Sequence, residues 1–282
     1  MSTNQEIGLS VRCDAASKYG IRSIALAFAL IEYLAAREPR GTSEIARDLG
    51  INKWRVFRHL HALRQEGYVQ QDASTDKFSL STKLFTVAAR LPQRLGFVEP
   101  ARPIMRALQE EIGQTILLST LADDRMVVIE SESGGNSVQV VVLPGAQLDL
   151  HASAQGRIAL AFGPDDILER ILKAQLRART AQTLTSPAAL RREVDLARRR
   201  SWAISRGEHR VGFNAAATPV FGRNGEFKAA LAITYVNSVD GATLDAYIQS
   251  LIVAARRLTS TIGGSPPNFT KKPPFPRETA TK

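Results

Sequence analysis

Between residues 52 and 61 the chain reads Asn-Lys-Trp-Arg-Val-Phe-Arg-His-Leu-His. At about 100° per residue, Val56, Leu60 and Leu63 share one apolar stripe, and Trp54, Arg55, Arg58, His61 and Ala62 lie opposite. A guanidinium fork matches O6 and N7 of guanine, and an indole or imidazole can meet sugars and thymine methyls. Asn52 and Lys53 stand at the helix start, where free N–H groups and the dipole favour a phosphate. This is the chemistry of holding a polyanion, not of breaking bonds. His59 and His61, two residues apart, point to different sides of a helix and have no metal-ligand spacing. Cys13 is the single cysteine, so intramolecular disulfides and multi-cysteine zinc sites are excluded, and a reducing, cytoplasmic setting is expected.

The elements that must position this helix are legible on either side. Ile24, Phe28, Ile31 and Leu34 recur at helical spacing, with Ser23 near the start, and predict a first helix ending before Pro39. Thr42 or Ser43 can cap a second helix with Ile45 and Leu49 inside. Gly50 supplies the turn, Asn52 caps the third helix, and Gly67 follows its end. Tyr68–Asp72 and Lys77–Leu80 alternate around a polar turn and predict a hairpin, from which Lys77 can reach a phosphate or the minor groove. Three helices and a hairpin make a winged helix-turn-helix over residues 21–81. Thr42 and Ser43 join Asn52, Lys53, Trp54, Arg55, Arg58, His61 and Lys77 as the candidate DNA contacts.

Charge supports two domains. The net charge of +10 divides into +5 over residues 1–98, +2 over 99–264 and +3 over 265–282. A basic end domain beside a nearly neutral, larger one suggests a polyanion-binding module attached to something else. Residues 1–20 read as a flexible arm and 265–282, rich in Pro and Lys, as a disordered tail. The start of the chain has no basic segment followed by an apolar run of signal type, and Ile24–Leu34 is too short to span a bilayer, so no membrane partner is expected.

Residues 82–97 predict a linker helix with Leu84, Val87, Ala88 and Leu91 on one side and a kink or stop at Pro92. Residues 98–264 alternate helices and strands. Ile104, Leu108 and Ile112 mark a helix. Strands are expected at Gln114–Leu121, Met126–Glu130, Val138–Leu143, Trp202–Ser205, Ala215–Val220 and Ala229–Tyr235. Helices are expected from Ser153, from Asp165, from Ser186 with Pro187 in its first turn, and over Thr243–Ile262. The fold class is α+β.

No GxSxG, Walker, GxGxxG or HExxH motif occurs. His151 and Ser153 lack a positioned acid to complete a triad, and Arg198-Arg199-Arg200 is the basic end of a helix. The expectation is a protein with no catalytic residues, no metal and no cofactor. The competing readings are a ligand-independent DNA-coating protein and, behind it, a small-molecule enzyme with a DNA-binding appendage. Ligand-linked DNA affinity separates a sensor from a coating protein.

Three stretches in order resemble the IclR family of bacterial transcriptional regulators: EIARDLGINKWRVFRHLHALRQEGYV, then LHASAQGRIALAF at Leu150–Phe162, then RSWAISRGEHRVGFNAAATPVF at Arg200–Phe221 with the strand AALAITYV beyond. The resemblance covers about residues 22–262. It implies a winged-helix domain on operator DNA, a GAF- or PAS-like effector-binding domain, and homodimers or homotetramers. RNA polymerase is a further partner if the protein activates. It also implies a small organic acid held beside the LHASAQG turn and the strands beyond it. Carried over, the effector positions are Val142, His151, Ser153, Ala154, Gln155 and Gly156 on the turn side. Ser205, Asn214, Ala215, Ala232 and Thr234 are their counterparts on the strands. The start of a helix at Ser153–Gly156 presents free N–H groups suited to a carboxylate.

The departures from the family pattern are informative. Ala232 stands where pyruvate- or glyoxylate-sensing relatives have small polar residues, Ala215 where they have cysteine, and Ser205 near an acidic position. Asp149 replaces a common proline. A roomier, more apolar pocket follows, and with it an aromatic carboxylate effector like those of relatives governing aromatic-acid breakdown.

Overall fold

The computed structural model describes residues 22–135, 140–236 and 239–267; the expected arm at 1–20 and most of the expected tail lie outside them. Two compact units are present, one ending at Arg94 and one beginning at Leu95.

The first unit contains α1 (Arg22–Ala35), α2 (Thr42–Leu49), α3 (Lys53–Gln65), β1 (Val69–Gln71) and β2 (Phe78–Leu80). Its core joins Leu26, Leu30 and Tyr33 of α1 to Ile45, Val56, Leu60 and Phe78. Of the apolar residues whose spacing predicts α1, Leu34 is buried, whereas Ile24 is 52% and Phe28 61% exposed. The helix is apolar nearly all round, so spacing fits two faces; packing selects the one on which the Tyr33 hydroxyl donates to Asp48 at 2.6 Å. Gly50 takes φ +64°, where a side chain would be strained. The cap of α2 is also corrected. Gly41 holds that place, and the Glu44 carboxylate accepts from the Gly41 N–H at 2.8 Å, leaving Thr42 and Ser43 inside the first turn.

β1 and β2 pair antiparallel, Val69 opposite Leu80. At the wing tip the Asp72 carboxylate accepts from the N–H and hydroxyl groups of Ser74 and Thr75, which hold its pKa down to about 2. The linker segment, where a helix with a kink or stop at Pro92 is expected, holds two short helices, α4 (Lys83–Ala88) and α5 (Leu91–Leu95). Pro92 has no N–H to give and its ring would strike the carbonyl four residues back, so α5 starts afresh with Pro92 in its first turn. Gly96, at φ +71°, then breaks the chain's course before α6 (Val98–Ile112).

The second unit is a six-stranded antiparallel sheet between two helical layers. Its strands are β3 (Thr115–Ala122), β4 (Arg125–Glu132), β5 (Gln147–Asp149), β6 (Ala203–Arg206), β7 (Phe213–Phe221) and β8 (Phe227–Val236), in the order β5-β4-β3-β8-β7-β6. α6 and α10 (Gly241–Thr261) cover one face, sealing Ile104, Leu108, Leu231, Ile233 and Tyr235. α7 (Ala154–Phe162), α8 (Asp165–Lys173) and α9 (Pro187–Arg200) build the other, over Leu117, Ala217, Ala230 and Ala232. The strand expected at Val138–Leu143 is not found where it is described, over residues 140–143; β5 takes the sheet edge instead. There the Gly145 N–H donates to the Val128 carbonyl at 2.7 Å, anchoring the chain one turn later than the β-branched run suggests.

Candidate DNA-contact surface and effector pocket

In the first unit α3 packs against α1, α2 and β1. Val56, Leu60 and Leu63 are buried beneath it. Asn52 caps it, its side-chain oxygen accepting from the Trp54 N–H at 2.9 Å. Lys53, Trp54, Arg55 and Arg58 are exposed, and neither arginine has an ion-pair partner among the described residues. The exposed face is also more aromatic than the sequence reading allowed. Trp54, 65% exposed, stacks on Phe57, 38% exposed, with ring centroids 5.7 Å apart; Phe57 in turn lies 4.2 Å from His61. Phe57 was overlooked because it sits at the flank of the helix, though the spacing of Trp54, Phe57 and His61 is that of one ridge. His61 is half-buried, near Phe78 and 3.2 Å from the Arg64 guanidinium. Thr42, Ser43 and Lys77 lie at the start of α2 and on the wing.

In the second unit, pleating sorts the strand candidates. Register places Ser205 opposite Ala215, Ala215 opposite Thr234, and Thr234 opposite Thr115, in one row across four strands. The adjacent row carries Ala217 and Ala232 on the same face, under α7. Asn214 does not belong with them. It precedes Ala215 on β7, so its side chain points to the other face, and the expectation for it is corrected on that ground. Thr115, unnoticed in the sequence, completes the row, and its hydroxyl donates to the Val140 carbonyl at 2.8 Å.

Above this row sits the buried start of α7. The Ser153 hydroxyl donates to the Asp149 carbonyl at 2.7 Å and accepts from the Gly156 N–H at 3.0 Å, which caps the helix. The N–H groups of Ala154 and Gln155 have no intrahelical partner, and both residues are buried. A Cβ on Gly156 would lie 2.4 Å from the Leu150 backbone, so only glycine admits this approach of turn and helix. Ser205 donates to the Ala152 carbonyl at 3.0 Å, tying the turn to the sheet. The imidazole of His151 meets the Arg177 carbonyl at 2.9 Å and so is held by the fold. Val142 is partly buried against the same core.

Charges clasp the turn from outside. Arg157, 2% exposed, pairs with Glu208 and donates to the Ile204 carbonyl at 2.5 Å. Asp149 is neutralised by Arg125 and Arg179. Beside them His209 has its pKa pushed down to about 4, first by burial and then by the charges of Arg179, Arg125, Arg210 and His151. Burial lowers His151 too, against the raising effect of the Arg177 carbonyl. An unfolded histidine titrates near about 6.5. Between that value and about 4 the unfolded chain therefore binds protons the folded chain refuses, and stability falls as pH falls. Acidification from about pH 7 to about pH 5 is expected to lower the unfolding free energy of the second unit, by up to about 1.4 kcal/mol per unit for His209 alone. His209→Gln is expected to flatten that slope in denaturant titrations, and an unchanged slope contradicts the assignment.

No helix among the described residues is long and apolar enough to cross a membrane, and no cluster of three metal-ligating side chains occurs among them. Two family models match the chain: the IclR helix-turn-helix domain over residues 23–73 and the bacterial transcriptional regulator IclR C-terminal domain over residues 90–260. The chain is 28% identical over 245 residues to the HTH-type transcriptional regulator KdgR of Escherichia coli K12, covering 86% of this chain and 93% of that one. It is 29% identical to the regulator BhcR of Paracoccus denitrificans, with 85% and 87% covered. Among solved structures, an IclR transcriptional regulator from Alicyclobacillus acidocaldarius superposes with a TM-score of 0.75 at 27% identity, over 87% of this chain and all of that one. An IclR homolog complexed with 4-hydroxybenzoate, from Microbacterium hydrocarbonoxydans, shares the fold at 22% identity, with a TM-score of 0.74 over 85% and 98%. With both halves matched in order, and with a helix-turn-helix and a six-stranded sheet between helical layers in their places, the chain belongs to the IclR family of bacterial transcriptional regulators.

Proposed function

We propose that this regulator is not an enzyme but a cytoplasmic, ligand-responsive switch that binds operator DNA as a homodimer or a pair of dimers. One observation carries the ligand reading: the row Ser205–Ala215–Thr234–Thr115 lies on the α7 face of the sheet, and the first N–H groups of α7, which have no intrahelical partner, lie on that side. A carboxylate can take those N–H groups while an apolar body lies on Ala215 and Ala232. The alanines favour an aromatic acid over glyoxylate or pyruvate. Thermal shift of the purified protein with a panel of carboxylates tests this; stabilisation by the small oxoacids and by no aromatic acid sinks it.

Self-association is supported by exposed apolar side chains, Ile24 and Phe28 on α1 and Phe85, Val87 and Leu91 beyond the wing. Two winged helices so joined must sit about one helical turn apart to read a palindrome. A ligand that shifts the second units changes that spacing. Where the protein activates, RNA polymerase is its further partner.

Arg58 reads bases in this account, and Lys53, Thr42, Ser43 and Lys77 hold phosphates. Arg58→Ala is expected to weaken specific binding by roughly 1–3 kcal/mol and relax base preference, whereas Lys53→Ala lowers affinity evenly across sequences. Competition binding against a pool-selected operator and its single-base variants separates the two; unchanged discrimination in Arg58→Ala refutes the role.

A further inference from the structure

Adjacent rungs of one sheet face opposite ways, and the rung next to the proposed effector row is built for a ligand of its own. Register places Arg206 opposite Asn214 and Asn214 opposite Tyr235. These three side chains line a cavity of about 380 Å³ whose other walls include Val211, Val239 and Leu244. Tyr235 packs in the core beneath α6 and α10, so the cavity lies on the face away from α7. A volume of this size suits a small organic molecule.

The polar groups here are uncommitted. Arg206 has no ion-pair partner among the described residues. Asn214 Oδ1 is buried and has no hydrogen-bond partner among them. The Arg206 charge is close enough to act on the Tyr235 phenol, which burial otherwise pushes above the usual phenol range. A cation and a phenol thus converge on one side of a hollow walled also by Val211, Val239 and Leu244. That arrangement fits a carboxylate bearing a hydroxyl group: the guanidinium fork takes the carboxylate, and the ligand's hydroxyl meets the Tyr235 phenol.

We propose that Arg206, Asn214 and Tyr235 form a second small-molecule site, for a hydroxylated organic acid, back to back with the effector pocket across β6, β7 and β8. The two sites share strands but no side chain. Asn214 and Ala215 are neighbours on β7, as are Thr234 and Tyr235 on β8. Occupancy of either therefore moves backbone common to both, and the two ligands are coupled through the sheet.

Isothermal titration of the full chain with 4-hydroxybenzoate tests this. Two binding events per chain are expected. Arg206→Gln, an exposed change that does not disturb the core, is expected to weaken one of them about tenfold to a hundredfold and leave the other. Val211→Trp, which fills the hollow from an exposed wall, is expected to remove the same event. Ala232→Phe, on the opposite face, is expected to remove only the other. Benzoate, lacking the hydroxyl, is expected to bind more weakly than 4-hydroxybenzoate at the Arg206 site. If Arg206→Gln and Val211→Trp both titrate like the parent, the second site is overturned while the effector pocket stands. If they abolish all binding and Ala232→Phe abolishes none, the second site stands and the effector pocket falls. No binding tighter than about 1 mM by the parent chain overturns both.

Discussion

Glu208→Gln is expected to lower the unfolding free energy of the second unit by about 3–5 kcal/mol. Arg157 is almost wholly enclosed on α7, and Glu208 supplies the carboxylate that pairs with it. Glutamine keeps the shape and one acceptor but leaves a buried guanidinium charge unpaired. The carbonyls of Ile204 and His151, at 2.5 Å and 3.4 Å, cannot neutralise it. Removing both charges together, as Arg157→Met with Glu208→Leu, is expected to cost less than Glu208→Gln alone, because no charge is then stranded. Urea unfolding of the single and double variants measures this; a single-variant cost below about 1 kcal/mol would show that the pair does not clasp the turn.

Gly156→Ala is expected to cost about 3 kcal/mol or more and to loosen the proposed effector site. The new methyl would meet the Leu150 Cα and carbonyl oxygen at 2.4 Å, and these are backbone atoms that no rotamer change can move. Relief requires the LHASAQG turn to lift from α7, which breaks the Ser153 cap and the Ser205 link to Ala152. A loss of ligand binding is expected with DNA affinity retained, since the first unit has its own core. Unfolding midpoints and ligand titration together check it, and a fully stable variant with unchanged ligand affinity contradicts the close approach.

Much of this architecture was readable residue by residue where the causes are local. The stripe of Val56, Leu60 and Leu63, the turn at Gly50, and the caps at Asn52, Ser153 and Ser186 depend only on neighbours within a turn of helix. The rest was decided where tertiary packing chose between locally equal options. α1 has two apolar faces, and burial of Tyr33 beside Asp48 decided between them. The β-branched run at 138–143 had strand propensity but lost the sheet edge to β5. Asn214 was grouped with Ala215 by resemblance, although the two-residue period of a strand separates them. The clasp of Arg157 on Glu208 spans 51 residues, and no local pattern announces it. Thr115 joined the row only through its register with Thr234.

The central claim is that occupancy of the second unit sets the DNA affinity of the first. Its most direct test is fluorescence anisotropy of the full chain on a pool-selected operator, with and without a saturating carboxylate that stabilises the protein in thermal shift. A change in operator affinity of about 5- to 150-fold is predicted, equivalent to about 1–3 kcal/mol of coupling, with the ligand's own affinity changing by the same factor when operator is bound. An operator affinity that does not move at ligand saturation would contradict the account and leave a DNA-binding protein that does not respond to its ligand.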